Sequence, residues 1–200
     1  LKYEFCSISE SIEDQLSTDI GLLGCLNKKN NIYKKNTTDI FNIIHLYDSL
    51  IDSGAFLLEF KSIEVINKIK EILIEKKYFI FIDENDTKMY YNRVTNDLLQ
   101  YQNQVFDQKD VFIYYDNKHI VGIDIKQPSE LRGIVTVSKF NRTTDIAQAS
   151  YRLRNINYGH EVDFFISDEI EFKINNKKDL LKFLNKKENN MKEDSRYRLN

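Results

Sequence analysis

Asp145, Gln148 and Arg152 are spaced by three and four residues, which puts a carboxylate, a carboxamide and a guanidinium on one face of a helix. Upstream lies a second polar set, His119-x-x-Gly122-x-Asp124, just after the apolar run Val111–Tyr115. Gly122 would let backbone approach a ligand closely, and Asp124 could accept hydrogen bonds from a ribose or an arginine. A third set is Asp83-Glu84, two acids ending the apolar run Tyr78–Ile82. The plainer reading of the helix is a surface element with Ile146, Ala149 and Leu153 inward and its arginines solvated. Arg154 would project about 200° round that helix from Arg152, at about 100° per residue, so the two share a side only if the helix ends there.

The composition narrows the classes. The chain has 200 residues, a net charge of −2, 42% hydrophobic and 30% charged residues, which describes a globular protein with a real core. No apolar run reaches the length of a membrane span, no signal-peptide pattern opens the chain, and the near-neutral balance argues against a DNA-coating surface. The last 28 residues, Lys173 to Asn200, carry a net +5. Lys outnumbers Arg by 22 to 7, and 20 Asn and 25 Ile accompany a single Pro. Codons rich in A and T produce that list, so Asn runs carry little weight and each Arg carries more. Cys6 and Cys25 stand 19 residues apart with no second Cys near either, which excludes zinc-finger spacing and a disulfide scaffold. A reducing compartment, cytoplasm or nucleus, is therefore expected. His45, His119 and His160 form no metal-binding pattern, and nothing local supports Cys6 as a thiol nucleophile. The start at Leu1 suggests a piece of a longer chain.

The elements that must hold these residues follow from periodicity. Ile12, Leu16, Ile20 and Leu23 predict a helix over Ser9–Leu26, and Lys28–Asn36 reads as a loop. Thr38-Asp39 would cap a helix whose face runs Ile40, Ile43, Ile44, Tyr47, Leu50 and Ile51. From Gly54 the pattern becomes strands and helices in alternation. Strands are expected at Ala55–Phe60, Tyr78–Ile82, Val111–Tyr115, Gly133–Ser138 and Glu161–Ile166. Helices are expected from Ser62 to Lys76 and from Thr143 or Thr144 to about Asn155, and a small hairpin from Lys88–Arg93 and Asp97–Gln102. Asp179–Lys187 reads as a surface helix. The expectation is an α/β fold with a mostly parallel sheet: a helical preface over 1–53, the α/β domain over 54–172, and a basic polar tail with a short helix over 173–200.

Ligands in open α/β sheets bind at the carboxyl ends of strands, where all three polar sets fall. Ile80-Phe-Ile-Asp83-Glu84 resembles the magnesium-binding strand of P-loop NTPases, but none of the six glycines is followed by Lys, so no phosphate loop accompanies it. Asp83-Glu84 then reads as a turn and a helix cap. The strand-end His-x-x-Gly-x-Asp, followed by a strand and a helix with Gln-x-x-x-Arg, resembles motifs V and VI of the second RecA-like domain of superfamily 2 helicases. Four stretches in order resemble one family more closely: Ser49-Leu-Ile-Asp-Ser-Gly-Ala55, Phe81 to Met89, Tyr115 to Gln127, and Ala147-Gln-Ala-Ser-Tyr-Arg-Leu-Arg154 to Gly159. That family comprises very large eukaryotic proteins with a helicase-like C-terminal region, often labelled ubiquitin hydrolases. The resemblance covers roughly residues 45–166.

The resemblance implies a RecA-like fold and a place in an ATP cleft shared by two domains. By position, Gly122, Asp124 and His119 would bind cofactor, and Gln148 and Arg152 would act on it. ATP and magnesium would be held only together with an N-terminal RecA-like domain of the same protein, which supplies the phosphate loop; alone the chain should be inert. A helicase motif VI has glycine before the first arginine and a second arginine three residues after it, whereas here these positions are Tyr151 and Asn155. The alternative is a degenerate binding or scaffolding module without ATPase activity. Nucleic acid or a ubiquitin-linked protein would be the further partner, and no membrane is implied.

Overall fold

The computed structural model describes residues 31–198. The expected helix at Ser9–Leu26, both cysteines and the first three residues of the Lys28–Asn36 loop lie outside them. Eight strands form one sheet: β1 (Ile32–Lys35), β2 (Ser49–Ile51), β3 (Tyr78–Ile82), β4 (Lys88–Asn92), β5 (Asp97–Gln100), β6 (Val111–Tyr115), β7 (Leu131–Val137) and β8 (His160–Ser167). Their spatial order is β1-β8-β7-β2-β6-β3-β4-β5. The six from β1 to β3 are parallel, and β4 and β5 extend that edge as an antiparallel hairpin. The α/β class is as the alternation of strands and helices indicated.

The parallel strands are apolar on both sides because both sides are covered. Successive residues alternate between two cores. Leu50, Phe79, Phe81, Phe112, Ile134 and Phe165 pack with α1 (Ile40–Ile43) and α2 (Ser62–Ile72). Ile51, Ile80, Ile113, Val135 and Phe164 pack with α3 (Thr143–Ser150) and α4 (Lys177–Arg198). The buried stripe of α2 is Val65, Ile66 and Ile69, the spacing its sequence carries. Each such side chain contributes about 2 kcal/mol of transfer free energy on burial.

Several elements differ from their sequence patterns. Ile40 to Ile51 does not make one helix: α1 spans four residues, a 3-10 turn covers Ile44–Leu46, and Ser49–Ile51 is the strand β2. The loop expected up to Asn36 contains β1, which pairs with β8. The apolar run Ala55–Phe60 is a turn rather than a strand, because the Asp52 carboxylate accepts from the Phe56 and Leu57 amides, both at 3.0 Å. Helix α3 stops at Ser150 instead of about Asn155. There the Ser150 hydroxyl donates back to the Ile146 carbonyl at 2.8 Å, a bond that weakens the helical ladder. The Gln127 carboxamide then takes over the next backbone groups, donating to the Arg152 carbonyl at 2.8 Å and accepting from the Arg154 amide at 3.1 Å. In the basic tail, α4 is 22 residues long, well beyond the short helix expected.

The sheet positions a crevice. From β2 the chain passes through α2 to β3 on one face, whereas from neighbouring β7 it passes through α3 to β8 on the other. The carboxyl ends of β2 and β7 therefore flank a topological switch point, where open α/β sheets take ligands.

The start of β8 depends on one glycine. Gly159 has φ +136°, and a Cβ there would sit 2.3 Å from the Ser129 carbonyl oxygen. Gly159→Ala should lower stability by about 1–3 kcal/mol or more through backbone strain and this clash. Equilibrium denaturation checks it: an unchanged midpoint would contradict the close approach.

Candidate functional site

Asp52 ends β2 at the switch point and is 1% exposed. Its carboxylate accepts from the Thr136 hydroxyl of β7 at 2.7 Å as well as from the Phe56 and Leu57 amides, and its own amide donates to the Tyr115 carbonyl of β6 at 2.8 Å. One residue thus ties three strands together. The next residue does the same through its carbonyl: Ser53 accepts from the Asn141 and Asn117 carboxamides at 2.8 and 3.1 Å. Asp52 has no cationic partner among the described residues, and burial raises its pKa above the usual carboxylate value.

The turn after β6 adds a charged cluster. His119 is 5% exposed, with Nδ1 2.6 Å from Asp116 Oδ1 and Nε2 2.9 Å from Asp86 Oδ1, so each ring nitrogen meets a carboxylate. Asp86 belongs to the turn joining β3 to β4 and also pairs with Lys118. The Lys118 hydrogen bond, then that of His119, holds the Asp86 carboxyl below its usual range. Asp83 serves that same turn, its Oδ1 accepting from the Asn85 and Thr87 amides at 3.0 and 2.8 Å. It is a turn residue, as the missing phosphate loop indicated. A cavity of about 250 Å³ lies on the α2 side of this edge, lined by Asp52, Tyr114, Asp116, His119, Glu84 and several residues at the entry to α2, Leu57, Phe60 and Lys61 among them.

The remaining candidates gather on the α3 side. Gly122 has φ +85° and open space where a side chain would start. The early end of α3 turns both arginines toward the loop that carries it. Arg152 Nη1 donates to the Ile123 carbonyl at 2.6 Å, and Arg154 Nη2 pairs with Asp124 Oδ1 at 3.2 Å. Arg154, assigned by helical geometry to the opposite side from Arg152, holds the Asp124 carboxylate because no helix remains to separate the two arginines. Burial, then the neighbouring Arg154 charge, lowers the Arg152 pKa. Its Nε is buried with no hydrogen-bond partner among the described residues.

Gln148 is exposed and lines a second cavity, about 290 Å³, with Asn117, Val121, Asn141 and Asp145. The Asp145 carboxylate is engaged by Arg142, whose Nη2 lies at 3.0 Å. Gly122, Asp124 and Arg152 therefore share one surface, Gln148 borders it, and His119 belongs to the other cavity. Asp52 and Tyr114 were not singled out by sequence reasoning. Asp52 stands inside the quoted Ser49–Ala55 stretch, and an acid ending a short strand before Ser-Gly was the available signal.

Comparison with protein-family models, curated proteins and solved structures finds no match. The described residues contain no cluster of His, Cys, Asp and Glu that could hold a metal ion, and no described helix is long and apolar enough to cross a membrane.

The Asp52 environment predicts a pH effect with a definite sign. Because its folded pKa lies above the ordinary 3.8, the proton is held more tightly in the native state. That contribution to stability is full below pH 3.8 and is lost as pH rises through the raised folded value. Carboxyl carbon NMR should place the Asp52 midpoint above 3.8, and a midpoint at or below it would contradict the uncompensated burial.

Proposed function

We propose that this chain is the second RecA-like half of a longer helicase-like protein. In this reading the 120–127 loop and residues 148–154 complete an ATP cleft whose phosphate loop and magnesium carboxylates belong to an N-terminal RecA-like partner domain. The observation that carries it is convergence. Gly122 and Asp124 on one loop and Arg152 on a second segment meet at the carboxyl edge, with Gln148 beside them.

The residues fit such a group in one specific respect. Arg152 makes one hydrogen bond to the Ile123 carbonyl and has a buried Nε without a partner, so its planar fork has donors to spare for an arriving anion. ATP with magnesium would supply the phosphoryl-transfer chemistry. Within this reading Arg152 neutralises charge on the transferring phosphate, Gln148 positions that arginine's surroundings, and Asp124 couples the loop to movement. Nucleic acid or a ubiquitin-linked protein would be what such a machine acts on.

One observation favours a second reading. Asp124 is engaged by Arg154, as a module kept for binding or scaffolding without ATPase activity would have it.

Turnover of the longer protein separates the two. The first reading expects ATP hydrolysis that falls by at least about tenfold in Arg152→Lys, which keeps the charge but loses the fork. The isolated chain should bind ATP only in the high micromolar range or weaker, the affinity of a few exposed contacts. An intact turnover in Arg152→Lys, or low-micromolar ATP binding by this chain alone, would overturn it.

A further inference from the structure

The cavity on the α2 side of the carboxyl edge carries chemistry that the nucleotide reading leaves unused. Tyr114 lines it and is 2% exposed, yet its hydroxyl makes no hydrogen bond among the described residues. The hydroxyl is not sealed off, so it is free to meet a ligand in the cavity as donor or acceptor. The carboxylates of Asp52 and Asp116, which line the same cavity, act on that phenol.

The charges at the site are unequally satisfied. Asp52 is surrounded by three neutral donors and lacks a cation. Asp116 gives Oδ1 to His119, while its Oδ2 has only the Ser62 hydroxyl at a long 3.5 Å. Of the cations lining the cavity, Lys118 is engaged by Asp86, His119 lies between Asp86 and Asp116, and Lys61 is exposed. The positive end of α2 is answered by Glu64, whose carboxylate accepts from the Lys61 amide at 2.8 Å. Leu57, Leu58 and Phe60 make the remaining wall apolar. At about 250 Å³ the space suits a ligand smaller than a nucleotide.

The geometry points to a binding site for an alkylammonium group, a primary amine at the end of an aliphatic chain. Its N–H groups donate to Asp52, Asp116 and the Tyr114 oxygen, and its methylenes lie against Leu57 and Phe60. It supplies the counter-charge that buried Asp52 lacks. A lysine side chain of another protein and a free polyamine share this chemistry. The site stands apart from the 120–127 loop, so its failure leaves the nucleotide reading intact.

Amide NMR titration of this chain with putrescine, Nα-acetyl-lysine methylamide, its Nε-acetylated form and inorganic phosphate tests the site. The two amines should shift amides of 52–62 and 114–119 saturably, and the Nε-acetylated compound should not. Tighter binding of the lysine amide identifies a protein side chain as the source, and tighter binding of putrescine a free polyamine. Tyr114→Phe should weaken either by about tenfold, the loss of one hydrogen bond to a charged group. Asp52→Asn should abolish binding; because Asp52 also ties strands together, Tyr114→Phe decides the matter if that variant does not fold. Absence of amine binding, equal binding by Tyr114→Phe, or phosphate shifting these amides in place of the amines would overturn the assignment.

Discussion

A three-residue strand lies in the middle of this eight-stranded sheet, and the buried carboxylate at its end is what makes that arrangement hold. Ser49–Ile51 makes few ladder bonds of its own. Asp52 extends its reach through Thr136 to β7, through its amide to β6, and through the Phe56 and Leu57 amides to the segment that enters α2. Taking an ionised carboxylate out of water is costly, and three hydrogen bonds offset only part of that cost. The uncompensated remainder falls at the switch point, where the two crossovers leave the sheet on opposite faces. Stability and candidate function therefore meet at the same residue.

The two sides of this edge are different in character. On the α2 side three carboxylates stand beside two lysines and a histidine, with the Tyr114 phenol and an apolar wall. On the α3 side two arginines gather beside a glycine-containing loop. Gln127 creates that second arrangement. By holding the Arg152 carbonyl, the Arg154 amide and the Tyr115 hydroxyl, it ends the helix and locks the loop against it. A continuous helix would have sent the two guanidinium groups in nearly opposite directions. One carboxamide thus decides whether the edge presents one cation or two.

Much of the fold was legible because burial on both faces leaves a plain mark. Tyr78–Ile82, Val111–Tyr115 and the core of β7 and β8 are apolar runs of strand length, and they are strands. The misread segments lack a local signal. Ile40 to Ile51 is buried by the sheet and by α2 alike, so its apolar spacing fits a helix face although half of it is turn and strand. β1 is an edge strand reading Ile-Tyr-Lys-Lys, specified by its pairing with β8 far along the chain. At the site, Gly122, Asp124, Gln148 and Arg152 were legible as spacings along the chain. The Arg154–Asp124 pair, the isolation of Asp52 and the unpartnered Tyr114 depend on contacts between distant segments, which spacing does not encode.

The central claim is that the carboxyl edge is an incomplete surface, finished by a partner domain and nucleotide. Amide hydrogen exchange on the longer protein, with and without a non-hydrolysable ATP analogue, tests it most directly. The account predicts slower exchange across 120–127 and 148–155 when the analogue is present, and unchanged exchange in the β4–β5 hairpin at the far edge of the sheet. Exchange at 120–127 and 148–155 that is indifferent to the analogue would contradict it.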